Sequence, residues 1–558
     1  MQASSDVTTS PRALRIHRTE WRWVVLWSVV ALVLANVPYL IGVGLSTPEN
    51  RFGGAVYGVE DVNSYFAKMR QGARGAWLFY IPYTAEEHPG TIIYIHYLLL
   101  GKVAALSGLS VELVYNLARV VCGALLSAAV YAFLSHWTPY LALRRIGFLL
   151  VVFSGGLGWL LTILGRAEWL GSLPLDLISP ESYVFLTLYS PPHLALATAC
   201  LLQGMLLVRE GARQHEHKQV LLGTLVHLVA ALIGAFYLVT SYAVLGVDWL
   251  VTAVRRRQAD WQALGWLVLS GLPTALVLGY DLAYFTLDPV YSVWSSQNLV
   301  PSLHPLHYLA GYLIVGALAA LGVGRVVRRR QWQLQLLLVW LGILPLLLAA
   351  PFSAQRRLII GAQVPLGLFA AFGLAYGVLL PFGRSRIVRW LSRYPRYSRA
   401  GMRRWLVWAL VGLTFLTNLL LILGSSAEVL GRKGPIFHNQ DELQMLDWLR
   451  THSDPKDTVL SSYETGNYVP AYAGNRVLLG LGPETIYAER KRGEVRRFFD
   501  AAENDAWRLD LLRQYGIVYV IVGPAERELG DLNPLSVPYL TQVYANQTYA
   551  VYEARGGP

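Results

Sequence analysis

Runs of about 20 apolar residues recur along most of this 558-residue chain. A helix of that length spans the hydrocarbon core of a bilayer, and a buried protein core does not require so many of them. Charged residues make up 15% of the chain, whereas soluble proteins carry roughly a quarter. The sequence therefore predicts a polytopic α-helical membrane protein of about 11 transmembrane helices, followed by a soluble α/β domain.

The apolar runs define eleven predicted crossings. The stretch 91–108 is also apolar but fits no crossing, so we expect it to lie in the interface or to re-enter, unless a neighbouring span is misplaced. The predicted spans are 23–45, 112–134, 146–164, 190–208, 219–236, 238–254, 262–284, 307–324, 333–350, 358–380 and 405–424.

Arginine-rich segments predict the orientation of these spans. Four arginines precede the first span, and the segment 384–404 holds eight arginines and no acid. Such segments remain on the cytoplasmic side of a plasma membrane. We therefore expect a cytoplasmic tail at 1–21, a transmembrane domain at 22–424 with an outer loop at 47–90, and an outer domain at 425–558. Because the net charge of +12 lies in such short loops, it does not indicate a nucleic-acid partner.

The last 134 residues differ from the rest, since 18 of the 35 acids lie between Glu428 and Glu553. Helical spacing follows Asn439, a candidate N-cap with Glu442 three residues on. Short strands alternate with helices, which predicts a small α/β domain. The predicted strands are TVLSS, RVLLG and IVYVIVG, and the predicted helices are DELQMLDWLRTH, EVRRFFDAA and DAWRLDLLRQYG.

Glu60 and Asp61 form an acidic pair in the predicted outer loop. Two such acids can supply a general base or bind a divalent cation, or they can be an ordinary solvated pair. Aromatic and basic residues, including Tyr65, follow at near-helical spacing, which favours amphipathic helices along the membrane interface. Acids held there would face both water and the lipid surface.

Arg356 and Arg357 lie at the predicted outer mouth of a span, where the positive-inside rule does not place them. An arginine pair there can hold a lipid phosphate by bidentate hydrogen bonds, or it can extend to outer headgroups. Asp281 is an acid inside a span and hence a functional candidate by default, although it can also pair with a nearby Tyr or Arg. Asp248 is expected to pair with Arg255–Arg257, and His193 to cap or pack a helix.

The acidic pair after the first span resembles the corresponding motif of the GT-C-type glycosyltransferases, which span the membrane many times and use polyprenyl-phosphate-linked sugars. His88–Pro89–Gly90 is similar to a second motif of that superfamily but lacks its second proline. The tail segments SSYETGNYVPAYAGNRVLLG and YGIVYVIVGPAE are similar to the outer domains of large bacterial members.

This resemblance implies transfer of a sugar from a polyprenyl-phosphate-linked donor to an unknown glycan, lipid or protein acceptor at the outer face. Asp61 would be the general base, with Glu60 orienting the acceptor or holding a cation. Arg356 and Arg357 would neutralise the leaving phosphate, and direct displacement would invert the anomeric carbon. Further candidates for substrate binding are His88, Asp281 and Tyr65. No cofactor is certain, and a divalent cation stays an open alternative.

Two other functions remain open from the sequence. One is a transporter or lipid flippase, which requires a polar pathway through the spans. The other is a non-catalytic membrane assembly protein, in which Glu60–Asp61 would face bulk water. The enzyme hypothesis instead requires Asp61 and Arg356 to line one cavity.

Overall fold

The computed structural model describes residues 16–351, 353–394 and 396–554. Within those ranges, ten helices are long and apolar enough to cross a membrane, and a pair of helices bent by 47° makes an eleventh if it is one span. Each predicted span coincides with one of them. They are Arg18–Leu45, Val111–Trp137, Leu141–Ile163, Pro192–Gln214, His217–Gly234, Tyr237–Arg256, Trp261–Leu287, Pro305–Arg328, Trp332–Ala349, Gln355–Arg384 and the pair Arg399–Thr414 with Leu416–Leu430.

The apolar stretch 91–108 contains the helix Ile95–Ser107, which is shorter than a crossing. It packs against the helix Val59–Ala73, which we call the loop helix. The two backbones approach so closely that a Cβ atom at Gly72 would overlap the Leu98 carbonyl group. The stretch therefore forms a helical pair with the loop that precedes it. This explains why it fits no crossing.

The C-terminal domain follows Leu430, where the last long helix ends. Its five-stranded sheet has the order β4-β3-β5-β7-β6, with β3 parallel to β4 and β5, and β7 antiparallel to β5 and β6. Among the described residues the strands are β1 Asn50–Phe52, β2 Phe437–Asn439, β3 Thr458–Leu460, β4 Arg476–Val477, β5 Ile517–Val522, β6 Leu540–Ala545 and β7 Ala550–Ala554.

Helices cover this sheet, as the α/β prediction requires, and apolar clusters lie on it. Asn439 caps the first helix, accepting a hydrogen bond from the Glu442 backbone N–H at 2.8 Å. The β6–β7 hairpin and one helix were absent from the sequence prediction. The main helices are Gln440–His452, Tyr463–Tyr472, Ala488–Phe499 and Asp505–Gln514, of which Tyr463–Tyr472 is the additional one.

The C-terminal domain packs on the first loop of the bundle. β1 from that loop pairs antiparallel with β2, which leads into the domain. The loop helix packs along the helix Tyr463–Tyr472, and Asn63 donates a hydrogen bond of 2.6 Å to Asn467. We call the end of the bundle where these contacts occur the domain side.

Gly373 lets two spans approach closely. A Cβ atom there would overlap the Leu318 carbonyl oxygen of the neighbouring helix. We expect Gly373→Ala to destabilise the protein by about 1–3 kcal/mol through overpacking, measured as a lower unfolding midpoint of the detergent-purified protein. The matched control is Gly279→Ala, because nothing lies within 4 Å of a Cβ there. Equal midpoints for the two variants would contradict this packing.

Candidate active site

A cavity of about 450 Å³ opens on the domain side of the bundle. Its lining includes residues of the loop helix, the start of the helix Pro192–Gln214, the end of the helix Trp261–Leu287 and parts of other segments. Those parts include residues 92–94, 178, 180, 181, 231–234, 236, 237, 353, 354, 356 and 357. Segments far apart in the sequence therefore meet at one membrane interface.

Most of the candidate residues from the sequence line this cavity. They are Asp61, Tyr65, Asp281, Arg356 and Arg357. The two residues whose convergence the enzyme hypothesis requires, Asp61 and Arg356, are both among them. A non-catalytic assembly protein would have both acids facing bulk water, whereas here Asp61 lines a cavity.

Asp61 lies in the first turn of the loop helix, whose N-cap is Gly58 in the left-handed conformation, φ +58°. The positive end of the helix dipole favours a carboxylate in this turn. Tyr65 follows four residues later, on the same face of the helix, and also lines the cavity. Its ring stacks on Tyr97 with centroids 4.5 Å apart, which fixes its orientation.

The Asp61 side chain is exposed to solvent within the cavity, whose protein walls surround it. Desolvation by these walls raises its pKa above the ordinary value for an aspartate, and the negative charge of Glu484 raises it further. The positive charges of Arg357 and Lys68 oppose the shift, whereas Glu60 adds to it. A carboxylate with a raised pKa is a better proton acceptor than an ordinary aspartate.

The two arginines are held by the short 3-10 helix Gln355–Ile359. Arg357 lies 3.6 Å from Glu181, and 42% of its side chain remains accessible. The Nε atom of Arg356 is buried and has no hydrogen-bond partner among the described residues. Both guanidinium groups line the cavity, so they retain donor capacity for an anion bound there.

Glu60 and His88 do not belong to the cavity lining. Glu60 accepts a hydrogen bond of 2.8 Å from the Tyr463 hydroxyl of the C-terminal domain. The Ile81 N–H donates to Nε2 of His88 at 2.8 Å, and Nδ1 lies 2.9 Å from the Glu86 carbonyl oxygen. Both ring nitrogens are therefore engaged within their own loop, and burial lowers the pKa of His88.

The structure adds residues that sequence reasoning missed. His193, expected only to cap or pack, lines the cavity and makes a 2.7 Å hydrogen bond to Tyr97. Glu181 lines it as well. The only sequence signal for His193 was its place just after two prolines at the start of a span, which puts it at the interface.

Lys68 and Glu484 form a buried ion pair beside the cavity. The Nζ atom of Lys68 lies 2.7 Å from Oε1 of Glu484, which also accepts a 2.7 Å hydrogen bond from Ser64. Lys68 is fully buried and lies 4.2 Å from the ring centroid of Tyr94. Asp61, Ser64 and Lys68 share one face of the loop helix, so a carboxylate of the C-terminal domain anchors the face that carries Asp61.

No cluster of three or more His, Cys, Asp or Glu in the described ranges is arranged to hold a metal ion. Of the acidic pair, Asp61 alone lines the cavity, since Glu60 is bonded to Tyr463. The acidic pair therefore contributes only one carboxylate, that of Asp61, to any cation in the cavity.

Removing only one partner of the buried ion pair leaves an uncompensated charge. We expect Lys68→Met to lower the free energy of unfolding by about 3–5 kcal/mol. The double variant Lys68→Met/Glu484→Leu should recover much of that loss, as seen in unfolding midpoints of the purified protein. Arg450→Met removes a solvent-exposed pair with Asp447 and serves as the control, with little effect. A double variant no more stable than Lys68→Met would contradict this account.

Comparison with family models finds no match, and comparison with curated protein sequences finds none either. Among solved structures, ArnT from Cupriavidus metallidurans in the apo state is similar over 96% of this chain and 98% of its own, with 12% identity and a TM-score of 0.51. The same protein bound to undecaprenyl phosphate gives 14% identity and a TM-score of 0.50 over 95% of this chain and 98% of its own.

Two further structures are similar. The arabinofuranosyltransferase AftD from Mycobacteria has a TM-score of 0.55 and 14% identity, and this chain covers 40% of its length. The Archaeoglobus fulgidus oligosaccharyltransferase, tethered to an acceptor peptide, has a TM-score of 0.50 and 13% identity over 89% of this chain and 69% of its own. These structures are GT-C glycosyltransferases. The GT-C fold predicted from the sequence is confirmed.

Proposed function

We propose that this chain transfers a sugar from a polyprenyl-phosphate-linked donor to an acceptor in the domain-side cavity. The observation that carries the proposal is the convergence of Asp61, Arg356 and Arg357 on this one cavity. A carboxylate that accepts a proton and two cations that stabilise a leaving phosphate are the groups such a transfer requires.

The walls of the cavity suit an amphipathic donor. Arg356 and Arg357 can hold a phosphate by charge-assisted hydrogen bonds. Apolar side chains from the end of the helix Trp261–Leu287, including Leu278 and Phe285, form another part of the lining, and this helix is mostly exposed along its length. A polyprenyl chain could lie against that apolar wall while its phosphate contacts the arginines. The binding of undecaprenyl phosphate by ArnT, which has the same fold, supports this class of donor.

In the proposed reaction, Asp61 accepts the proton of an acceptor hydroxyl group. The acceptor oxygen then forms a bond to the anomeric carbon of the sugar, and the bond from that carbon to the phosphate oxygen breaks. The lipid phosphate leaves with the bonding electron pair, and Arg356 and Arg357 stabilise its charge. Because the displacement is direct, the anomeric configuration inverts.

Other residues would orient the substrates. His193, Tyr65 and Asp281 line the cavity and can contact sugar hydroxyl groups. Glu60 lies beside Asp61 and accepts a hydrogen bond from Tyr463. In this proposal it orients an acceptor that enters along the C-terminal domain. The arginine-rich loops favour an orientation in a plasma membrane with this cavity at the outer face.

Replacement of the proposed base tests the function. We expect Asp61→Asn to reduce sugar transfer by roughly 10²–10⁴-fold, because the amide cannot accept the proton. The measurement is transfer by purified protein with a panel of polyprenyl-phosphate sugars and candidate acceptors. Glu87→Gln is the control, since Glu87 is an exposed acid of the same loop outside the cavity lining. Transfer by Asp61→Asn at the native rate would eliminate Asp61 as the base.

The pH dependence of transfer gives a second test. The base acts only as a carboxylate, so kcat/KM should fall on acidification as Asp61 becomes protonated. Because the pKa of Asp61 is raised, this fall should occur at a higher pH than the ordinary aspartate pKa of about 4. Glu60→Gln removes a charge that raises this pKa, so the acid limb should move to lower pH. The tyrosines that face Asp61 stay neutral in this range. An acid limb that stays in place in Glu60→Gln but moves in Glu87→Gln would refute the assignment.

A further inference from the structure

A second cavity, of about 400 Å³, lies at the other end of the same helices. The last residues of Pro192–Gln214 and Tyr237–Arg256 and the first residues of Trp261–Leu287 line it, whereas the opposite ends of these helices line the Asp61 cavity. Helices of 20 residues or more are about 30 Å long, which is the thickness of a bilayer core. The two cavities therefore lie at opposite membrane interfaces.

A network of charged and polar groups forms one wall of this second cavity. The buried side chain of Arg209 lies 2.8 Å from Asp248 and 2.7 Å from Glu210. Gln335 donates to Asp248 at 2.8 Å. Asp248 therefore pairs with Arg209 and not with Arg255–Arg257 as expected from the sequence. Arg209 thus holds both carboxylates in place, while Oε1 of Gln335 has no hydrogen-bond partner among the described residues.

Two further arginines of the lining are open. Arg213 lies one turn beyond Arg209, and Arg256 lies one turn beyond Thr252, so both are on the helix faces that line the cavity. Within the described ranges, neither side chain has an ion-pair or hydrogen-bond partner. The nearby carboxylate of Asp260 is already engaged, because it caps the next helix at the Ala263 N–H, 2.9 Å away. Arg213 lies near the negative charges of Glu210 and Asp248, but both guanidinium groups keep free N–H donors at the mouth of the cavity.

Two tryptophans place this mouth at the depth of lipid headgroups. Trp249 and Trp261 line the cavity with ring centroids 5.7 Å apart. The indole N–H of Trp249 donates to the Asp260 carbonyl oxygen at 2.9 Å, whereas Trp261 is 70% exposed. Tryptophan with an exposed ring at a helix end is typical of the membrane–water interface.

We propose that this second cavity binds the headgroup of an anionic membrane phospholipid, with Arg213 and Arg256 holding its phosphate. Guanidinium groups bind phosphate oxygens in bidentate geometry, and basic pockets between membrane helices are suited to anionic headgroups. The acyl chains would lie along the apolar outer faces of the helices. This lipid is separate from the donor of the proposed sugar transfer, because its site is at the other interface.

Native mass spectrometry of the full-length protein in detergent tests the proposal. The probes are dioleoylphosphatidylglycerol and dioleoylphosphatidylcholine, which share acyl chains and differ in net charge. The wild-type protein should retain the anionic lipid in preference, and Arg213→Ala/Arg256→Ala should lose roughly fivefold in retention for each arginine removed. Arg328→Ala/Arg329→Ala removes two exposed arginines at the same end of the bundle and should retain the lipid.

Unfolding midpoints without lipid show whether each variant is folded, and a folded single variant, Arg256→Ala, replaces the double variant if that one unfolds. Equal retention of the two lipids, or an equal loss in the Arg328/Arg329 control, would overturn the proposal. Stabilisation of the wild type by millimolar inorganic phosphate, lost in Arg213→Ala/Arg256→Ala and without selective lipid retention, would assign the site to a soluble anion instead.

Discussion

The buried contact between Lys68 and Glu484 joins the C-terminal domain to the helix that carries Asp61. A fully buried ammonium group is stable only when its charge is compensated, and here the compensating carboxylate comes from a residue 416 positions away. The β1–β2 pair and the hydrogen bond from Tyr463 to Glu60 reinforce the same junction. The position of Asp61 over the cavity therefore depends on the folding of both parts of the chain.

The membrane-spanning part of the fold could be predicted because its determinants are local. Each span needs only enough consecutive apolar residues to match the bilayer. The orientation inferred from the arginine-rich loops stays a prediction. The stretch 91–108 is apolar but does not form a crossing, because its short helix packs against the loop helix. Its helix uses Gly101 to approach the backbone of the loop helix near Met69, so one face is buried against protein, whereas Leu99, Val103 and Leu106 remain exposed.

The site could be predicted only where one segment supplied a recognisable group. Asp61 and the arginine pair Arg356–Arg357 stood out because charge is rare beside apolar runs. Glu181 and Glu484 gave no such signal, since their proximity to Asp61 or Arg357 arises from tertiary packing alone. The pairing of Asp248 was predicted wrongly for the same reason: basic residues close in sequence were preferred over Arg209, which approaches from a neighbouring helix.

Both cavities lie at the ends of the same helices, because the bilayer core limits where polar residues can occur along a span. Their middle turns must be apolar, so polar chemistry is confined to their ends and to the loops that join them. A lipid-linked substrate has the same division, with a charged phosphate at the interface and a hydrocarbon chain in the bilayer. On the domain side, His193 at a helix start and Arg357 meet Asp61 from the loop helix, so the proposed proton acceptor lies with the groups proposed to hold the phosphate. At the other end, the carboxylates of Asp248 and Glu210 are paired with Arg209. The carboxylate of Asp260 caps a helix there, so we propose that this end binds an anion and that the proposed sugar transfer belongs to the domain side alone.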